Sequence, residues 1–485
     1  MKMIKHIISL AILLLFVFPA KAQDELTSNL YETYGDYKEP SIGKRRIKHA
    51  DIQPLIQKLK ANPKFEVQKV GESIQGRDLH LISIGSGDSN IFLWSQMHGD
   101  EPTATQAIFD ILNFLNAPEF QEEKEAILSK LKLHFLPMLN PDGAEVFTRR
   151  NALGIDINRD ALRLQSPEGQ TLKRLRDSLD ADFGFNLHDQ SKYYNAERTN
   201  KPATISYLAT AYNYEKDINE VRANAMKVIV FMDRIIQNYA PGQVGRYSDD
   251  FEPRAFGDNI AKWGTSLILI ESGGYPGDPE KQEIRKLNYV SILSALYTIA
   301  NESFKNIPIE EYEKIPRNDR MLFDLKIENV TYELLGDAYI LDLGIYNQEV
   351  DLKNHNEFYY KSTVADQGDL STYYAYKTFD AKGYTIVPPK VAKVERIENP
   401  MGLLRNGVAY VKTEKPNNSE FVHFPLVLVN DGFELKNFSI QPGINPNFFL
   451  KKDGKLTHAV INGFLIDLSK PLNQQHTGNG LINGK

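Results

Sequence analysis

The chain has 485 residues, a formal net charge of −6 and no cysteine. The acidic balance disfavours nucleic acid as a partner. Without cysteine there are no disulfides, thiolate metal sites or cysteine nucleophiles, so any metal must be held by His, Asp or Glu.

The chain opens with Met1-Lys2-Met3-Ile4-Lys5-His6, then runs apolar through "IISLAILLLFVFPA" to Ala20-Lys21-Ala22. A basic start, a short apolar stretch and small residues at its exit read as a secretory signal peptide over 1–22, cleaved after Ala22. The apolar run is too short for a transmembrane anchor. Residues 23–45 form an N-terminal extension.

From 46 to 304 strand-like and helix-like segments alternate. "DLHLISIG" (78–85), "NIFLWSQM" (90–97), "LKLHFLPML" (131–139), "ADFGFNLH" (181–188) and "TSLILIE" (265–271) are the strand candidates. Several are near-continuous apolar runs, as expected of strands covered on both faces. Helical patterns lie at 103–116, 119–130, 166–178, 216–239 and 279–301. Ser166-Pro167-Glu168 is a start signal for the third. This alternation predicts an α/β domain with a mostly parallel or mixed sheet flanked by helices.

The prolines and charges of "NIPIEEYEKIPRNDR" mark a linker at 305–320. Beyond it, 321–472 carries short alternating stretches rich in Tyr, Phe, Val and Thr, separated by turn residues. That pattern predicts a smaller all-β, sandwich-like domain. Its His355, His423 and His458 lack ligand spacing. The tail, 473–485, reads as flexible.

Polar residues cluster where the apolar strands of the first domain end. His98 and Glu101 follow one strand, and "NPDG" (140–143) follows the next, leading to Arg149, Asp156, Asn158 and Arg159. His188 ends a third strand and Glu271 a fourth. Ligands of open α/β sheets bind outside the carboxyl ends of the strands, so these groups converge on one edge. Singly each has a plain structural reading: a turn histidine, a histidine bonded to a backbone carbonyl, a capping carboxylate, a solvated arginine pair. Together they describe a functional site, with candidate metal ligands, two arginines and a carboxylate at one edge. There is neither a Gly-x-Ser-x-Gly elbow nor a His-Glu-x-x-His helix.

The ordered set of "HGDE" (98–101), "NPDGAEVFTRRNALGIDINRD" (140–160), "FNLH" (185–188) and "LILIESGG" (267–274), with "GESIQGRDL" (71–79) upstream, strongly resembles the zinc carboxypeptidases of the funnelin family. The resemblance covers about 46–304. It implies one zinc ion per chain on His98, Glu101 and His188, with a fourth position open for water. Glu271 matches the general base, and Arg149, or its neighbour Arg150, the arginine that stabilises the oxyanion. Asn158 and Arg159 match the pair that holds a substrate's free C-terminal carboxylate. Asp156 matches the carboxylate that orients a zinc histidine, His98. Tyr247 lies at a plausible distance before Glu271 for the family's mobile substrate tyrosine, although a surface-loop tyrosine is the plainer reading. Arg254 and Asp258 lie in the same loop.

The implied activity is an exported metallocarboxypeptidase acting on peptides, those of the cell wall included. The gap from Glu101 to His188 is shorter than in digestive-type members, as it also is in the related N-acyl-amino-acid deacylases. Deacylation is therefore the alternative within zinc chemistry. A non-catalytic binding protein that displays the β domain is the alternative outside it.

Overall fold

Four near-continuous apolar runs form the centre of an eight-stranded mixed sheet. The computed structural model describes residues 25–352, 354–412, 421–422, 425–471 and 479–480. The expected signal peptide at 1–22 lies outside the described residues, as does the tail at 473–485 except for 479–480. Among the described residues no helix is long and apolar enough to cross a membrane. The chain divides into two units, Met1–Arg320 and Met321–Lys485.

The strands of the first unit are β1 (Glu66–Glu72), β2 (Asp78–Ile84), β3 (Ser89–Ser95), β4 (Leu131–Leu136), β5 (Phe183–Asp189), β6 (Asn195–Ala196), β7 (Ile205–Ala209), β8 (Val244–Arg246) and β9 (Ser266–Ser272). The main sheet runs β1-β2-β4-β3-β5-β9-β7-β8. Its central four, β4, β3, β5 and β9, are mutually parallel, so their carboxyl ends share one edge. The outer pairs β1–β2, β2–β4 and β9–β7 are antiparallel.

Successive residues of the central strands feed opposite cores, as the period of two requires. Ile91, Leu93, Phe185, Leu187, Ile268 and Ile270 pack with residues of the helices Thr103–Asn116, Glu220–Gln237 and Gln282–Ala300. Phe92, Trp94 and Leu267 face the other way, onto the helices Pro167–Leu179 and Phe256–Lys262. The apolar side chains thus reach hydrophobic layers on both faces of the sheet.

The described part of the expected extension, 25–45, packs into the first core. Leu30, Tyr34, Tyr37 and Ile42 are buried in the first core. The Asp110 carboxylate, fully buried, accepts from the Tyr34 hydroxyl at 2.9 Å, from the Glu39 N–H at 2.7 Å and from Arg285 at 2.7 and 2.5 Å. Arg285 in turn donates to the carbonyls of Ile42 and Glu39 at 2.9 and 3.0 Å. Losing one partner of such a buried pair costs about 3–5 kcal/mol, because the other charge is left uncompensated.

The stretch expected as a linker, 305–320, also belongs to the first unit. It folds into the 3₁₀ turn Ile309–Lys314 and the short strand β10 (Asn318–Asp319), which pairs with β6. Tyr312 is buried, and its hydroxyl accepts the Ala209 N–H at 3.0 Å.

The second unit is β-rich. Its longest strands, Leu322–Leu334, Asp337–Asp351 and Phe358–Gly368, form an antiparallel meander. A separate three-stranded parallel sheet joins Lys390–Lys393, Val408–Lys412 and Val427–Val429. The stretch 458–468 breaks into two strands at Asn462-Gly463, both at positive φ (47° and 77°), as a tight hairpin turn demands. The unit also holds the short helix Pro400–Arg405, so it is not purely β.

Candidate active site

The parallel centre of the sheet explains the convergence of polar groups. Strand β3 ends at Ser95, and the chain turns through Gln96, whose φ is 51°. The turn is fixed by Gln96 Nε2, which donates to the Gly99 carbonyl at 2.9 Å, and by Thr105, which donates to Gln96 Oε1 at 3.0 Å. A Cβ on Gly99 would lie 2.0 Å from the Gly143 carbonyl carbon. Only glycine lets the turn after β3 touch the Asn140-Pro141-Asp142-Gly143 turn after β4.

That second turn is held from upstream. Asp142 accepts from the Ser73 hydroxyl at 2.7 Å, the Gln75 N–H at 2.9 Å and Arg77 at 2.6 Å. The "GESIQGR" motif therefore acts as a clamp on the loop that leads to Arg149. Asn140 caps the turn by accepting the Gly143 N–H at 2.9 Å.

His98, Glu101 and His188 are buried and present one ligand atom each, all within 4.8 Å of one another. Nδ1 of His98 is 2.7 Å from Glu101 Oε1, and Nδ1 of His188 is 2.7 Å from Glu101 Oε2. The two Nδ1 atoms are 3.2 Å apart. Two imidazole nitrogens and a carboxylate aimed at one point suit a divalent cation, and a set of two histidines and one glutamate is a zinc donor set. The residues fit the metal.

The far nitrogen of His98 faces Asp156 Oδ1 at 3.3 Å, the arrangement that fixes a ligand histidine's tautomer. Asp156 is itself held by Arg149, from Nε at 3.0 Å, and by the Asn158 N–H at 3.0 Å. Arg149 also approaches Glu101 at 3.5 Å. Arg150 is exposed and donates to the Gly154 carbonyl at 2.9 Å. Of the two arginines, Arg149 is the one that contacts the cluster.

The electrostatics follow from burial and proximity. Burial opposes charging of His98, but Glu101 and Asp156 outweigh it and push the imidazole up to about 9. Burial also opposes ionisation of Glu101, yet His98 and His188 hold it well below the usual carboxylate range. Asp156 is held low against burial by His98 and Arg149. Burial pushes His188 down. Glu271 sits across the strand pair from His188. Burial, then the Glu101 charge, raises its proton affinity well above normal.

Arg159 is half-buried, with Nε 3.5 Å from Glu252. Asn158 Oδ1 accepts the Phe256 N–H at 2.9 Å, tying the loop before the helix Phe256–Lys262 to the Asn158-Arg159 turn. Glu252 is shared with exposed Arg254, at 3.0 Å, and its N–H donates to Asp258 at 2.9 Å. Asp258 is buried, which raises its carboxyl to about 6. Tyr247 follows β8 directly. It starts the loop after that strand and is half-buried, with its ring against Tyr194, centroids 5.9 Å apart. Burial and the Glu271 charge raise its hydroxyl. Asp189, Thr103 and Lys281 also border the cluster, and no motif marked them.

Residues 52–166 match the family model described as zinc carboxypeptidase. Carboxypeptidase SOL1 of Arabidopsis thaliana is 28% identical over 176 residues, 30% of this chain and 35% of that protein. Probable carboxypeptidase 2 of Trichophyton verrucosum is 30% identical over 160 residues, 30% of each. The chain thus spans about a third of the length of these relatives. Among solved structures, a metallo-carboxypeptidase from Burkholderia cenocepacia overlaps 53% of this chain and 69% of its own, with a TM-score of 0.43 and 16% identity. The stretch that matches the zinc carboxypeptidase family model, residues 52–166, holds His98, Glu101, Arg149, Asp156, Asn158 and Arg159.

Proposed function

We propose that the chain is an exported zinc metallocarboxypeptidase that releases the C-terminal residue of peptides, cell-wall peptides included. The observation that carries this is the buried His98-Glu101-His188 cluster, with Glu271 beside His188 on the next strand. Export rests on the signal-like residues 1–22. His98, Glu101 and His188 hold one zinc per chain. A zinc ion held there would supply Lewis acidity to the scissile carbonyl and would lower the pKa of a bound water to about 7.

The chain's own groups do the rest. Glu271 takes a proton from the attacking water onto a carboxylate oxygen and passes one to the leaving amine. Its raised proton affinity suits a group that must hold that proton between the two transfers. Arg149, held against Asp156, offers N–H donors to the developing oxyanion. Asp156 keeps His98 oriented, with Nδ1 toward the ligand point. Asn158 and Arg159 bind the terminal carboxylate, and the amide and the guanidinium together select free C-termini. Tyr247 closes over the substrate.

The test is substrate choice. A charge-assisted contact in a partly desolvated cleft contributes about 1.5–3 kcal/mol. Amidating a peptide's C-terminus leaves the scissile bond unchanged and removes that contact. Amidated peptides should therefore lose about one to two orders of magnitude in kcat/KM. Arg159→Ala should lose activity on the free acid and show little further loss on the amide. Equal cleavage of both peptides by the unsubstituted enzyme would rule out carboxylate recognition. Preference for an N-acyl amino acid over every peptide would keep the clamp and turn the function to deacylation.

A further inference from the structure

The strands that carry His188 and Glu271 are cross-linked just beyond those residues by a buried ion pair. Asp189 and Ser272 follow them and face each other in the parallel register. Lys281 Nζ lies 2.9 Å from Asp189 Oδ2 and donates to the Ser272 carbonyl at 2.8 Å. The same carboxylate oxygen accepts the Thr103 hydroxyl at 2.6 Å. Thr103 opens the helix Thr103–Asn116, two residues after Glu101. The Asp189 N–H donates to Glu101 Oε2 at 3.3 Å. One ammonium and one carboxylate thus tie together the chain segments that carry two proposed zinc ligands and the proposed base.

Local physics alone does not put a lysine there. Lys281 immediately precedes the helix Gln282–Ala300, the end where the peptide dipoles disfavour a cation. Its backbone is left-handed, with φ 52° and ψ 32°, a region costly for a residue with a Cβ. Its side chain is 11% exposed, although an ammonium is strongly hydrated. The contacts to Asp189 and Ser272 offset three separate costs.

We infer that Lys281, acting through Asp189, is a positioning residue that fixes Glu271 relative to His188 and Glu101. This rests on the zinc peptidase reading. It touches neither substrate nor metal, and its effect passes through the ends of β5 and β9. Partners in the shell around a metal site typically change metal affinity or activity by 10–100-fold.

The test compares Lys281→Met, Lys281→Arg and Thr103→Val with the unsubstituted full chain. Zinc affinity is read by competition with a chromophoric chelator, and kcat and KM on one free-acid peptide. Lys281→Met should weaken zinc about tenfold and lower kcat about 10–100-fold, with KM changed less than about threefold. Lys281→Arg should recover most of both. Thr103→Val, which removes one arm and keeps the ion pair, should shift both in the same direction by less, and it decides the matter if Lys281→Met does not fold. Variants that only lose thermal stability, with zinc affinity and kcat unchanged, would overturn the positioning role and leave the peptidase reading standing. An unsubstituted chain that binds no zinc and cleaves no peptide would overturn that reading instead. If it binds zinc without cleaving, the shift in zinc affinity still decides the role of the pair.

Discussion

Glu271→Gln should lower turnover by roughly 10²–10⁴-fold, the usual contribution of a positioned general base. The amide keeps the shape of the carboxylate but cannot accept the proton. Glu271 is buried, so the substitution also removes a costly charge, and the fold should hold. Because Glu271 is not among the three clustered metal-ligating groups, zinc content should stay at the unsubstituted level. KM should move little, since the pair proposed to bind the terminal carboxylate, Asn158 and Arg159, sits on a different turn. The combination discriminates: low kcat with full zinc and steady KM marks a base, whereas low kcat with lost zinc marks a ligand. Near-normal turnover in a zinc-loaded variant would remove Glu271 from the chemistry.

What the sequence discloses about this site follows from where its signals lie. The central strands are apolar runs whose period and length leave little choice, so β3, β4, β5 and β9 fall within two or three residues of expectation. Their parallel pairing then brings His98, Glu101, His188 and Glu271 to one edge. Strand β1, "EVQKVGE", is polar and half-exposed at the edge of the sheet. It pairs through its backbone, which composition does not report. Strands β7 and β8 are five and three residues long, too short for a period to show. The antiparallel turn of β7 against β9 was equally hidden.

Partners distant in sequence were the other blind spot. Tyr34 and Glu39 look like an N-terminal extension until Asp110 and Arg285 are seen to receive them. The prolines at 308 and 316 suggest a linker, yet Tyr312 between them is buried. Lys281 stands in "GDPEKQE" with no motif around it, and only the fold brings it to Asp189, 92 positions away. Motifs report groups that chemistry demands at fixed spacing. They are silent about groups that merely hold those in place.

His188→Ala should abolish stoichiometric zinc binding while the protein remains folded. The three donors converge within 4.8 Å, and His188 supplies the only one from β5. Two remaining donors, His98 and Glu101, sit three residues apart on one turn and lack the third that a hydrolytic zinc site requires. The substitution falls at the end of a strand whose core-facing neighbours, Phe185 and Leu187, are untouched. The sheet pairing made by its backbone is kept. Two measurements check this independently of activity. Elemental analysis should find about one zinc per unsubstituted chain and essentially none in the variant. Thermal unfolding supplies the second, because a ligand that binds only the folded state stabilises it by about 2.7 kcal/mol at a hundredfold excess over Kd. Added zinc should therefore raise the Tm of the unsubstituted chain, and a chelator should lower it, while the variant responds to neither. Full zinc content, or an intact zinc-dependent rise in Tm, in a well-folded His188→Ala protein would place the metal elsewhere and remove the basis for Glu271 as its neighbouring base.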